Sequence, residues 1–256
     1  LAEPLPWNDP GQECVLCPPL RFRFNRMADL PGESSVLARD GDFFLMPDVS
    51  PLVEGHVLLV TLGHHQCAGA FDERMWRAAL RWRDRVARLY RAAYGSGELL
   101  LFEHGPASPQ GGGACIDHAH WHFLPGGRGV RAIVEAADRP GEPAGRATLR
   151  AYCRAGCSYL LVEEEGIATV HPGDGVRSQF LRWAVTVTGP GGTWRWQETF
   201  GLPESRRRFL RTVQALRLAA TADTGTTTGT TTAADTGLGE DRGEDPGGDQ
   251  RADNHQ

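Results

Sequence analysis

Three histidines at alternate positions, His118, His120 and His122, follow a glycine-rich approach through Gly111, Gly112 and Gly113. Alternation at period 2 predicts a strand with all three imidazoles on one face and Ala119, Trp121 and Phe123 on the other, buried one. Imidazoles converging on so small a patch suit phosphate chemistry or metal binding. Residues without a β-carbon let backbone N–H groups close on an anion. One imidazole can then attack phosphorus while its neighbours and those amides hold the oxygens. Clustered histidines also occur as plain metal ligands, or by accident of surface in a chain with nine of them; strict alternation after a glycine run is far more specific than an isolated His-x-His.

Cys14 and Cys17 form a Cys-x-x-Cys knuckle, a spacing shared by metal chelates and redox pairs. A structural zinc needs four N or S ligands in a tetrahedron, so the knuckle requires two histidines from elsewhere. Cys67 and Cys153 read as small buried apolar residues, and no histidine lies close in sequence to complete a site at Cys153 and Cys157. His171 and His255 are expected at the surface. Six cysteines at irregular spacing fit a reducing compartment better than a disulfide framework.

The elements that must position these groups can be read from periodicity. Residues 35–38 and 43–47 read as short strands around an Asp40-Gly41 turn, and 57–62 as a third. Between 71 and 94, apolar residues at Trp76, Leu80, Val86, Leu89, Tyr90 and Ala93, with Gly95 just beyond, predict an amphipathic helix of several turns. Residues 99–102 and 118–124 supply two more strands. Further on, 131–137 fits helix or strand, 146–155 a helix, and 159–162 with 167–170 a hairpin. Residues 178–185 and 204–219 read as helices, the second with Pro203 near its first turn and Phe209, Leu210, Val213 and Leu216 on one face. The expected fold class is α+β, an antiparallel sheet with one long helix packed across it.

The chain is expected to divide into a catalytic region at 1–128 that holds the knuckle and the histidine run, a folded extension at 129–220 that completes or caps the pocket, and a tail at 221–256 set apart by its composition. The tail is Thr, Gly, Asp, Ala and Glu with almost no large apolar residue, so it is expected to be disordered. Its eight acidic residues against Arg242 and Arg251 give a net −6, which leaves the body near +1 of the whole-chain −5. The acidic balance therefore says nothing about the site. No run approaches the ~18 apolar residues that span a bilayer, and no basic segment leads into an apolar one at the start. The expected compartment is the cytoplasm, without a membrane partner.

The run from His118 to Leu124 resembles the signature of the histidine triad (HIT) superfamily of nucleotide hydrolases and nucleotidyltransferases. Upstream, Gly55-His56, the apolar stretch to Val60 and then His64 resemble the family's glycine, strand and histidine segment. The resemblance spans roughly residues 14 to 125. It departs from the common pattern at Thr61-Leu62-Gly63, where many members have a proline. It departs again at Gly113-Ala114-Cys115, where small members carry Gly-Gln-Ser. A thiol is a weaker donor than a serine hydroxyl, so the contact made there is expected to pass to backbone N–H groups. A proline-containing loop at 106–112 is expected to recognise the leaving group or the base.

In the zinc-bearing branch, which includes galactose-1-phosphate uridylyltransferase, a cysteine knuckle is joined by the histidine after the strand and by the first histidine of the triad. That resemblance implies Cys14, Cys17, His64 and His118 as ligands of a structural zinc, with His65 competing with His64. It also implies His120 as nucleophile at an α-phosphate, giving a nucleotidyl-histidine intermediate. His122 then contacts phosphoryl oxygens or the leaving group, and Gly113, Ala114, Cys115 and Glu103 complete the substrate contacts. Water as acceptor makes a hydrolase; phosphate or a sugar phosphate makes a phosphorylase or transferase. The partner expected is a nucleotide or nucleotide conjugate, with a homodimer left open. Two alternatives stand beside this: a non-catalytic nucleotide sensor, which loss of the middle histidine would have favoured, and processing of adenylated nucleic-acid ends. Nucleic acid is disfavoured, because Arg206-Arg207-Arg208 is the one dense basic run and a solvated helix face explains it as well.

Overall fold

The computed structural model describes residues 14–106, 116–189 and 192–226. Its centre is one antiparallel sheet of eight strands in the order β1-β2-β3-β5-β4-β7-β8-β6. The strands are β1 (Ala38–Arg39), β2 (Phe43–Pro47), β3 (Val57–Thr61), β4 (Leu99–Gly105), β5 (His120–Pro125), β6 (Glu142–Pro143), β7 (Tyr159–Glu164) and β8 (Ile167–Pro172). The helices are α1 (Leu20–Met27), α2 (Glu73–Tyr94), α3 (Val130–Ala136), α4 (Arg146–Ala155), α5 (Phe180–Thr188), α6 (Trp196–Thr199) and α7 (Pro203–Thr226). The α+β class expected from the sequence is observed. No helix among the described residues is long and apolar enough to cross a membrane.

One face of the sheet carries α2. Its first turn is closed by Asp72, whose carboxylate accepts from Met75 N at 2.7 Å, a cap that contributes about 1 kcal/mol. Gly95 ends it in the left-handed region at φ 81°. The buried stripe is Met75, Ala78, Ala79, Trp82, Val86, Leu89 and Tyr90. The helix starts two residues later than expected, and its stripe runs from Met75 through Trp82, not from Trp76 through Leu80. Leu80 is exposed because it stands beyond the edge of the 3.6-residue stripe. Beneath α2 lie Leu45, Leu59, Leu101, Trp121, Phe123 and Leu161, alternate residues of five strands.

The opposite face carries two apolar patches. Leu16 and Phe22 cover Phe44, Met46, Leu58 and Val60, while α3 and α5 cover Leu100, Phe102, Leu124, Leu160 and Val162. His120 and His122 alternate with Trp121 and Phe123, so they emerge on this second face.

Several local expectations change. Residues 33–35 form a 3-10 turn and not the start of a strand, because Ser35 Oγ donates to Gly32 O at 2.7 Å and accepts from Asn25 Nδ2 at 3.1 Å. His171 is fully buried, not exposed. Its Nδ1 lies 2.8 Å from Arg139 O and its Nε2 2.9 Å from Thr169 Oγ1, so a neutral ring is satisfied without water. Cys67 is buried as expected, its thiol pushed up to about 12 by burial, whereas Cys153 is half-buried. Helix α7 continues to Thr226, six residues into the segment expected to be disordered, and Leu210 points outward from it. His255 and the rest of that tail lie outside the described residues.

Candidate active site and metal centre

Strand β5 begins at His120, so His118 precedes it and is not the third imidazole of one strand face. His118 is pinned elsewhere: its Nε2 lies 2.9 Å from Thr61 O and 3.0 Å from Thr61 Oγ1. With Nε2–H donating to that carbonyl, Nδ1 presents its lone pair to Cys14 Sγ at 3.4 Å and Cys17 Sγ at 3.4 Å. Burial holds the His118 imidazole down at about 4, so it is neutral, the form a metal ligand requires. His64 Nδ1 approaches Cys17 Sγ at 3.5 Å. His65 meets Phe71 edge-on, with ring centroids 6.0 Å apart, and is not among the residues whose ligand atoms cluster with the two cysteines.

The ligand atoms of Cys14, Cys17, His64 and His118 all lie within 4.8 Å of one another, and the group could hold a metal ion. The donor set fits one. Sulfur and nitrogen ligands about a tetrahedral Zn²⁺ stand ~3.6 Å apart, and three of the four S···N separations here are 3.4, 3.4 and 3.5 Å. Leu16 N–H donates to Cys14 Sγ at 3.4 Å, and the His118–Thr61 bond orients its ring as outer partners of metal-bound histidines do.

The carbonyl of His118 carries the next link. His120 Nδ1 lies 2.6 Å from His118 O; the N–H donates, leaving Nε2 with its lone pair. His122 stacks on Phe102, with centroids 4.5 Å apart and planes at 14°. His122 Nδ1 lies 2.9 Å from His56 Nε2. Because Leu52 N–H donates to His56 Nδ1 at 3.2 Å, that nitrogen is an acceptor, and His56 Nε2–H must donate to His122 Nδ1. His122 is thereby fixed with its proton on Nε2. Burial foremost, helped by positive neighbours, holds His56 and His122 well below the usual imidazole range. Gly55 makes the entry to His56: its φ of 88° suits glycine, and a β-carbon there would stand 2.9 Å from the Pro125 ring.

Two cavities of about 70 and 50 Å³ border these histidines. The larger is walled by Leu16, Phe24, Leu58 and Trp196 and contains Arg21, Asp48 and Arg182. Arg21 and Arg182 are 3 % and 5 % exposed, so their charges sit in a low-dielectric wall where an anion would feel them strongly. Arg21 comes from the first turn of α1, four residues past Cys17, and donates to Pro47 O at 3.1 Å. The smaller cavity is lined by Phe102, His104, Phe180 and Gln179.

Glu103 does not reach this pocket. One residue out of phase with Phe102 and His104, it lies on the α2 face, where Oε1 accepts from Ala68 N at 2.9 Å and Oε2 from Tyr159 OH at 2.7 Å. Burial pushes its carboxyl up to about 7. Gly113, Ala114 and Cys115, with most of the loop at 106–112, lie outside the described residues. Sequence reasoning missed Arg21, Asp48, Arg182 and Trp196. A lone arginine or aspartate carries no spacing signal; an apolar helix bearing one buried arginine was the only available clue.

Residues 36–125 match a family described as "Protein similar to CwfJ C-terminal". No curated protein matches the chain. Among solved structures, the chain is similar to a hypothetical histidine triad nucleotide-binding protein from Sulfolobus tokodaii strain 7, at 24 % identity over 41 % of this chain and 67 % of that one, TM-score 0.32. A HIT family hydrolase from Clostridium thermocellum is 21 % identical over 44 % of this chain and 90 % of its own, TM-score 0.31. Yeast Ap4A phosphorylase Apa2 in complex with Ap4A is 16 % identical over 57 % of this chain, which spans 63 % of the yeast enzyme, TM-score 0.36.

Proposed function

We propose that the chain is a nucleotide hydrolase or nucleotidyltransferase that works through a covalent nucleotidyl-histidine at His120. The observation that supports this reading is the 2.6 Å contact from His120 Nδ1 to His118 O, which leaves Nε2 unprotonated at a cavity holding two buried arginines. Nε2 attacks the α-phosphorus, a P–N bond forms and the P–O bond to the leaving group breaks. The leaving oxygen departs with the electron pair as an anion, and the His122 Nε2–H donates a hydrogen bond to it without giving up the proton. Arg21 and Arg182 oppose charge growing on the phosphoryl oxygens. An acceptor hydroxyl then attacks the phosphorus of the intermediate, its proton passes to solvent, and the P–N bond breaks to free neutral His120. Gly113, Ala114 and Cys115 remain candidate oxygen contacts by resemblance alone.

Cys14, Cys17, His64 and His118 are the residues that would hold zinc. A zinc with four protein ligands keeps no open position, so its contribution there is structural.

The test is incubation with adenylated, guanylated and uridylated compounds, with and without inorganic phosphate, followed by product identification and intact-mass analysis. A nucleotidyl adduct that His120→Gly abolishes is the expected result. Nucleotide binding with neither adduct nor product makes the protein a sensor.

A further inference from the structure

The strands and helices beyond the triad supply a residue that works on it. Arg182, in the first turn of α5, is 5 % exposed, and its guanidinium reaches two separate segments, one of them at two residues. Nε donates to Trp194 O at 3.0 Å, Nη2 to Ser50 O at 2.7 Å and Nη1 to Asp48 Oδ2 at 3.2 Å. The rigid fork of an arginine suits such a three-way grip. Asp48 is held from its other oxygen as well, Oδ1 accepting from Ser50 N at 2.7 Å. The gripped oxygen, Oδ2, lies 3.9 Å from His56 Nε2 and 3.9 Å from His122 Nδ1. A carboxylate therefore stands equidistant from the two nitrogens that share one proton at 2.9 Å.

A carboxylate in that place has two possible effects. Alone, it would draw one further proton onto the pair and convert His122 to an imidazolium. With a guanidinium on the same oxygen, its field is offset and the carboxylate does not shift out of line. We infer that Arg182 is a positioning residue: by holding Asp48 it keeps His56 and His122 both neutral, one proton on each, with the outer N–H on His122 Nε2 serving the pocket. This deepens the proposed function and rests on it for the use of that N–H, while the state of the pair can be observed without turnover.

The charged and titratable groups facing His122 are few. His56 stands just before β3 and His120 on β5 beside His122; Asp48 follows β2 and Arg182 comes from α5. Across the cavities stand Arg21 of α1 and His104 of β4. Arg182 and Asp48 act on His122 in opposite senses, Arg182 disfavouring the imidazolium and Asp48 favouring it. The sign follows. Removing Arg182 leaves Asp48 acting alone, so His122 takes up its proton at higher pH; removing Asp48 as well returns the pair toward neutrality.

The experiment is ¹⁵N-histidine NMR titration of the full chain as wild type, Arg182→Leu, Asp48→Asn and the double variant, read beside the pH dependence of turnover on a dinucleoside polyphosphate. The expected result is that Arg182→Leu moves the His122 titration upward and changes its Nδ1 and Nε2 shifts from the neutral Nε2–H pattern. Asp48→Asn in the same chain reverses both. For turnover, any pH at which kcat changes should move upward with the His122 titration in Arg182→Leu and return in the double variant, whatever the absolute rate. A merely structural Arg182 would lower stability and turnover at every pH and would be worsened, not rescued, by Asp48→Asn. If Arg182→Leu fails to fold, Asp48→Asn alone must move the His122 titration downward. An unmoved His122 titration in folded Arg182→Leu or in folded Asp48→Asn overturns the inference. The expected NMR changes without turnover on any nucleotide leave the inference standing and overturn the proposed reaction.

Discussion

His120 hangs from the backbone of His118: its Nδ1 lies 2.6 Å from the His118 carbonyl oxygen, while the His118 ring faces Cys14 and Cys17 at 3.4 Å. The proposed nucleophile and the proposed metal ligand are therefore two ends of one short lever. Cys14→Ser or Cys17→Ser is expected to abolish metal content, near one zinc per chain in the wild type by elemental analysis. Loss of a structural zinc destabilises by several kcal/mol, since its binding free energy is coupled to folding. Turnover should fall with metal loss even in any fraction still folded, because Arg21 and His118 both move with the knuckle. A stable, metal-free wild-type preparation contradicts this.

His120→Gly removes the attacking nitrogen without disturbing the apolar face of β5, where Ala119, Trp121 and Phe123 pack under α2. We expect at least about a 10³-fold loss in kcat, the scale of deleting a covalent nucleophile, with melting temperature and AMP affinity nearly unchanged. Equilibrium binding measured beside single-turnover kinetics separates the two effects. Near-normal turnover would move the nucleophile elsewhere.

The parts of the site that repeat were legible in the sequence. Period-2 alternation gave β5 its two faces, and the knuckle with two downstream histidines converged as the resemblance implied. Contacts made across elements were not legible. Alternation alone could not tell that His118 leaves the strand, because that depends on its bonds to Thr61 and the cysteines. The same period, followed one strand away, would have excluded Glu103, since it is out of phase with Phe102 on the triad face. His171 read as a surface histidine because its partners, Arg139 O and Thr169 Oγ1, are set by folding. Arg182 lies 134 positions from Asp48, a pairing that no local pattern announces.

Glu103 makes stability depend on pH. Its carboxyl ordinarily titrates near 4.5 and is pushed up to about 7 by burial. The folded chain thus holds this proton more tightly than the unfolded one. The stability so gained is fully present below about 4.5 and is lost as pH rises through about 7. The difference corresponds to an upper bound of about 3 kcal/mol. Glu103→Gln keeps an acceptor for Ala68 N and a group for Tyr159 OH, so the melting temperature of the variant should vary less between pH 5 and 8 than that of the wild type. Gly105→Ala offers a check on the same contact, because a β-carbon there would overlap the Tyr159 ring. An identical pH slope in wild type and Glu103→Gln would show that the carboxyl titrates normally.

Truncation separates the end of α7 from the acidic sequence beyond it. Phe209, Leu216 and Ala219 are 0 %, 1 % and 4 % exposed, and Leu216 and Ala219 join the core under α2. Removing the chain from Leu216 onward deletes a buried leucine, a loss that costs roughly 2–5 kcal/mol when the side chain alone is cut away. We expect that truncation to lower the melting temperature by several degrees or more. Removing only 227–256 deletes residues whose composition offers no apolar face to bury, and should leave melting temperature and turnover unchanged at low and high salt. Faster turnover of this shorter chain at low salt alone would mean that its acidic residues compete electrostatically for the pocket containing Arg21 and Arg182, because such a cover is released as the Debye length falls to ~3 Å near 1 M salt.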